Sequence, residues 1–180
     1  SYPGKFSSER ENLILDASLN GRFTALGRQH QMQIGASSAR SDIQDSDFAA
    51  LSGFVAMPAF PGWDGTEVPR PAWDSPYVAL DQDIDLDRLY GSLLLSVTDN
   101  FKLILGASVV DYTNQGVSYG VSTDSTEDGS SPYIGFTWEL LDGLNAYGSY
   151  SDIYQPQYVL GEDLNALGSA EGKSYEIGLK

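Results

Sequence analysis

Three times along this chain, two runs of alternating apolar and polar residues meet across a very short turn, and each pair is set apart from the next by a much longer polar stretch. The short connections are Leu26-Gly27-Arg28-Gln29, Thr98-Asp99-Asn100 and Leu141-Asp142-Gly143. The long ones run over residues 39–86, 113–131 and 152–172. Period-two alternation is a strand signal, because successive side chains of an extended chain point to opposite faces. Tight turns at one end and long connections at the other therefore restrict the chain to an up-and-down antiparallel sheet.

The runs are explicit. Leu13, Leu15, Ala17 and Leu19 fall opposite Asp16, Ser18 and Asn20, and Met32, Ile34 and Ala36 fall opposite Gln31, Gln33, Gly35 and Ser37. Leu89, Gly91, Leu93, Leu95 and Val97 oppose Ser92, Ser96 and Thr98, with Leu94 out of pattern. Leu103, Leu105, Ala107 and Val109 oppose Lys102, Gly106 and Ser108, while Ile104 and Val110 blur the polar side. Ile134, Phe136, Trp138 and Leu140 oppose Tyr133, Gly135, Thr137 and Glu139; Leu144, Ala146, Gly148 and Tyr150 oppose Asn145, Tyr147, Ser149 and Ser151. A seventh run, from Lys173, sets Tyr175, Ile177 and Leu179 against Ser174, Glu176 and Gly178.

Each such strand is dry on one side and wet on the other. A soluble sandwich gives the same alternation. The polar faces here are mostly small or hydrogen-bonding, which suits a crowded hydrated lumen, and the one-sided loop lengths match the short periplasmic turns and long extracellular loops of outer-membrane barrels. The fold class expected is therefore all-β: an antiparallel, up-and-down transmembrane β-barrel segment. Bacterial single-chain barrels use an even number of strands from eight upward, so seven runs read as part of a larger barrel. The competing expectation is a secreted β-sandwich that binds glycans through loop aromatics.

Composition excludes several classes. The net charge of −15 disfavours a nucleic-acid partner, and the absence of cysteine removes disulfides, thiolate metal sites and cysteine nucleophiles. No stretch reaches the 18 or so apolar residues of a membrane helix, which is no argument against barrel strands. The chain opens Ser1-Tyr2-Pro3 without a signal peptide and reads as an excised or mature segment.

Several segments resemble the barrel of TonB-dependent siderophore receptors. Gly27-Arg28-Gln29-His30-Gln31-Met32-Gln33-Ile34-Gly35-Ala36-Ser37 is similar to one of its hairpins, as is Phe101-Lys102-Leu103-Ile104-Leu105-Gly106-Ala107. Tyr147-Gly148-Ser149-Tyr150-Ser151-Asp152-Ile153-Tyr154-Gln155-Pro156-Gln157 and Gly172-Lys173-Ser174-Tyr175-Glu176-Ile177-Gly178-Leu179-Lys180 carry the resemblance furthest. Their order matches the mid-barrel of the ferric-pyoverdine, ferrioxamine and coprogen receptor group, over most of residues 10–180. The resemblance implies a 22-stranded outer-membrane barrel filled by an N-terminal plug. Such a receptor imports a ferric siderophore with energy from the TonB–ExbB–ExbD system, among outer-membrane lipid and lipopolysaccharide. It implies no enzyme and no cofactor. The plug and both barrel ends would lie outside residues 1–180, and 39–86 would be a long extracellular loop.

Other motifs point elsewhere and fail on context. Gly116-Val117-Ser118-Tyr119-Gly120 fits a nucleophile elbow literally, but that motif needs a strand before it, a helix after it and a later histidine. The one histidine, His30, lies far upstream at a predicted turn. Gly168-Ser169-Ala170-Glu171-Gly172-Lys173-Ser174 is one residue short of a phosphate loop and leads into a strand. No catalytic residue is assigned.

Candidate binding residues come from two patterns. Trp63, Trp73, Tyr77, Tyr119, Tyr154 and Tyr158 lie in the long connections, where rings meet either a planar chelate or their own loop. Asp81, Asp83, Asp85 and Asp87 alternate, so on a strand all four carboxylates share one face. They share the parity of Leu89, Leu93 and Leu95, which turns them outward at lipopolysaccharide height, where they would take divalent cations; a plain solvated acidic face is the alternative. Trp138, Tyr90, Tyr112, Tyr133 and Tyr150 lie near strand ends and are expected in the interfacial girdles. Phe48, Leu51, Phe54, Val55 and Met57 suggest a small core within the first loop. The acidic balance favours neutral or cationic chelates over anionic ones.

Overall fold

The structure is a computed structural model, and it describes residues 4–51, 70–157, 159, 161, 162, 165 and 167–180. The seven runs become seven long strands: β1 (Lys5–Ala25), β2 (Arg28–Ala50), β3 (Trp73–Ser96), β4 (Phe101–Ser118), β6 (Ser125–Leu141), β7 (Leu144–Gln155) and β8 (Ala170–Leu179). A two-residue strand, β5 (Val121–Ser122), lies between β4 and β6. All pair antiparallel in one sheet of order β1-β2-β3-β4-β6-β7-β8, with β5 against β4. Among the described residues there is no helix and no second sheet.

Register turns the alternation of each strand into two continuous faces. One row runs Asn20, Gln33, Ser92, Gly106, Tyr133, Ser151 and Ser174 across all seven long strands. The row beside it runs Gly21, Met32, Leu93, Leu105, Ile134, Tyr150 and Tyr175 and points the other way. The first face is wet and the second dry. On the dry face Leu13, Leu15, Leu19, Ile34 and Leu89 stand exposed. A sandwich would cover them with a second sheet; here the sheet leaves them open, as a face that meets lipid requires.

The three tight turns form as their residues demand. Leu26 and Gly27 both take positive φ (53° and 74°), the twist-matched two-residue hairpin geometry. Above that turn, His30 is buried, contrary to its expected place at the turn itself. Its Nδ1 accepts the Ser96 N–H at 3.1 Å, so the proton lies on Nε2, which donates to the Ala25 carbonyl at 3.0 Å. The imidazole thus ties the end of β3 to the first turn, while Arg28 reaches Asp99 in the second turn at 2.5 Å.

The long connections prove shorter than the sequence implies. The expected loop over 39–86 is largely strand: β2 runs to Ala50 and β3 starts at Trp73, and the Leu51 N–H bonds the Ala72 carbonyl at 2.9 Å. The expected loop over 113–131 is a hairpin that closes at Tyr119–Gly120, with φ of 48° and 82°. β5 continues the β4–β6 register beyond Thr123 and Asp124. Only 156–169 of the third stretch lies between strands. The reason is physical. A membrane strand needs about 9–11 residues, whereas β3 has 24 and β4 has 18. Past the apolar band both faces meet water, so alternation vanishes while the hydrogen-bond ladder carries on. Phe54, Val55 and Met57 of the supposed loop core lie outside the described residues.

Three of the expected girdle tyrosines turn inward instead. Tyr90, Tyr112 and Tyr133 share the wet face, and only Trp138 and Tyr150 of that set lie on the dry one. Tyr90 and Tyr133 lie over the glycines directly opposite them, Gly35 and Gly106, and Tyr147 does the same over Gly178. A ring laid across a strand needs a neighbour without a side chain, and the register supplies one each time.

Candidate functional site

The strand extensions build a rim at the end opposite the tight turns. Trp73 opens β3 across from Ala50, and Tyr77 lies across from Asp47. The β2–β3 register slips between Asp45 and Ser46, leaving Ala79 as the extra residue on β3; bulges of this kind re-aim side chains. The bulge also receives the hairpin tip: the Tyr119 N–H donates to the Ala79 carbonyl at 2.7 Å, and the Tyr119 hydroxyl donates to Asp47 Oδ2 at 2.8 Å. That bond, with the Asp47 charge, holds the Tyr119 phenol above its ordinary range. Tyr77, Tyr119 and Asp47 are thus brought together from β3, the turn after β4, and β2. Both rings stay accessible, at 53% and 68% exposure.

A buried knot holds the hairpin in place. Gln82 Nε2 donates to Thr123 Oγ1 at 3.0 Å, Asn114 Nδ2 donates to the Thr123 carbonyl at 2.6 Å, and the Thr123 N–H donates to the Gly116 carbonyl at 2.9 Å. A side chain on Gly116 would collide with the backbone of Asp81 and Gln82. The glycines of Gly116-Val117-Ser118-Tyr119-Gly120 are therefore explained by close packing on β3 and a positive-φ turn, and no helix follows.

Tyr154 sits apart from the other aromatic candidates, in β7. Its ring covers Gly129, and its hydroxyl meets Glu127 Oε2 at 3.4 Å and lies 2.7 Å from Ser169 Oγ. Glu127 also accepts from the Ser169 N–H at 2.9 Å and from the Ser169 hydroxyl. Trp63 and Tyr158 lie outside the described residues.

Asp81, Asp83, Asp85 and Asp87 occupy alternate positions of β3, all exposed, on the dry-face side beyond the apolar band. Asp87 continues into Asp111 and Asp128 across β4 and β6. Arg40 pairs with Asp85 at 3.1 Å. Asp83 faces Asp42, and a hydrogen bond shared between the two carboxyls, helped by slight burial and the charges of Asp42, Asp81 and Asp85, raises the Asp83 pKa. Among the described residues no three histidine, aspartate or glutamate side chains converge so as to hold a metal ion. Strand spacing separates the four carboxylates instead of gathering them.

Sequence pattern alone missed Asp45, Asp47, Glu127 and Ser169. These residues lie in polar stretches without periodicity, and their partners are set by register between strands distant in sequence.

Comparison with known proteins decides the family. Residues 2–180 match the TonB dependent receptor-like, beta-barrel family. The chain belongs to that family. It is 33% identical to the ferripyoverdine receptor of Pseudomonas aeruginosa, over 98% of this chain and 22% of that protein. It is also 33% identical to the ferric-pyoverdine M114 receptor PbuA of Pseudomonas sp. strain M114, over 97% of this chain and 23% of that receptor. The crystal structure of the outer-membrane ferripyoverdine receptor of Pseudomonas aeruginosa, bound to ferripyoverdine, superposes with a TM-score of 0.87 at 30% identity, covering 98% of this chain and 23% of that one. The chain thus spans less than a quarter of the length of these relatives. Its sheet is a segment of an outer-membrane β-barrel, as its open dry face requires.

Proposed function

We propose that this segment serves an outer-membrane receptor that takes up a ferric siderophore. The observation that carries the reading is the pairing of a lipid-ready dry face with family membership: among the described residues the sheet has no protein partner for its apolar side, and the relatives that match it are ferripyoverdine receptors. The wet face would line the filled lumen, the strand extensions and residues 51–72 would stand outside the cell, and Tyr77 and Tyr119 would meet the chelate at the rim. Trp63, Trp73, Tyr154 and Tyr158 remain candidate contacts of the same kind, with Tyr154 held more firmly by Glu127 and Ser169. Energy would come through TonB–ExbB–ExbD. The protein's work is binding and passage, with no chemistry on the ligand.

The test is uptake of radioactive iron as its siderophore complex by iron-starved cells with and without the gene, and with and without TonB. Expected is uptake that needs both, with the protein in the outer-membrane fraction. Unchanged uptake without the gene, or a soluble protein, would overturn the reading.

A further inference from the structure

We propose that the inner rim built from Asp45, Asp47, Tyr77 and Tyr119 receives a cationic group of the ligand, an alkylammonium or guanidinium, and so selects ferric chelates that carry positive charge. The inference rests on the receptor reading above and deepens it.

Asp45 and Asp47 alternate on β2 and lie opposite Ser8 and Phe6 of β1, on the wet face. Asp47 gives one oxygen to the Tyr119 hydroxyl. Asp45 Oδ1 is buried and accepts no hydrogen bond. A buried carboxylate oxygen without a donor is costly, and a pair of carboxylates two residues apart adds repulsion. Three cations of β1 and β2 make other contacts. Arg10, on the same face of β1, bonds Ser8 at 3.4 Å; Lys5 lies over the Phe48 ring at 3.7 Å; Arg40 holds Asp85. Among the described residues neither Asp45 nor Asp47 has an ion-pair partner.

The two rings complete the site. The bulge at Ala79 puts Tyr77 beside Asp47, and the hairpin tip brings Tyr119 to its other side. Tyr119 does so at φ 48°, where this turn ordinarily takes Asn, Asp or Gly. Exposed tyrosine faces beside carboxylates attract cations through both the ring quadrupole and direct charge. An anionic chelate would meet repulsion at the same place.

The experiment uses the intact receptor in outer-membrane vesicles and two ferripyoverdines that differ at one point: one carries a free side-chain amine, the other its acetyl amide. The amine form is expected to bind about tenfold more tightly at low salt, with the difference shrinking as salt rises. The variant carrying Asp45→Asn and Asp47→Asn should abolish the difference, and a β-sheet circular-dichroism spectrum matching the parent's shows that it is folded. Equal binding of the two chelates, or a preference that survives the double variant, overturns the cation niche and leaves the receptor reading standing. Failure of both to bind the unmodified receptor overturns the niche, and the receptor reading then stands or falls by the uptake test.

Discussion

At Gly106 the Tyr133 ring fills the space a side chain would need, and any methyl there would overlap it. Gly106→Val should therefore displace the ring or push β4 from β6, at a cost of about 1–3 kcal/mol, the usual range for overpacking. Urea unfolding of the refolded receptor in detergent measures it. Gly168→Ala, with nothing within 4 Å, is the control and should stay near neutral. A second residue-scale expectation concerns Asp83, whose pKa is raised chiefly by the bond it shares with Asp42. The folded state then binds its proton more tightly than the unfolded chain, so this contribution is full below the ordinary carboxylate range and is lost as pH rises through the folded pKa. Asp42→Asn should flatten that dependence. Amide exchange at Ile84 and Ile43 between pH 4 and 7 tests it, and an unaltered pH profile would remove the pair as its cause. None of these contacts was legible in sequence, because each depends on which residue of a distant strand lies opposite.

At the scale of elements, the informative place is where β6 and β7 part. Their pairing runs from Leu141↔Leu144 to Tyr133↔Ser151 and ends one residue short of Pro132, which has no N–H to offer a ladder. Above that point Ser131 Oγ accepts the Tyr154 N–H at 3.0 Å, and Glu127 holds Ser169 and Tyr154. Side chains take over where the backbone ladder stops. Glu127→Ala should free the top of β7 and speed amide exchange at Tyr154 and Ser169 by tenfold or more, as expected from losing roughly 1–3 kcal/mol of charge-assisted bonding. Ser149 and Ser151, inside the ladder, should keep their rates; equal change at both places would mean a general loosening instead. The contrast between ladder and clasp also marks what the sequence could show. Strands were readable wherever one face was dry, as from Leu13 to Leu19 or Leu103 to Val109. They were unreadable from Ala39 to Ala50, Trp73 to Asp87 and Thr113 to Ser118, where water lies on both sides. The rim fell in those stretches, so Tyr77 and Tyr119 could be nominated as exposed rings but their meeting with Asp47 could not.

For the whole molecule, the decisive property is that two neighbouring residues of one strand inhabit different solvents. Ile34 points to the dry face, at 52% exposure with none of the described residues packed over the sheet, and Gln33 points to the wet face between Asn20 and Ser92. In a membrane Ile34→Lys carries a charge into hydrocarbon and should cost about 2–4 kcal/mol near the midplane. Gln33→Lys keeps its head in a polar lumen and should cost far less. The same pair in a soluble two-sheet protein would also differ, so the solvent must be varied as well. Refolding into bilayers of shorter and longer acyl chains shifts the depth of Ile34, and the Ile34→Lys penalty should follow that depth while the Gln33→Lys effect stays flat. A penalty indifferent to bilayer thickness would mean that Ile34 meets protein and not lipid, and the barrel orientation assigned to all seven long strands would have to be reversed or abandoned, since one register links every face in the sheet.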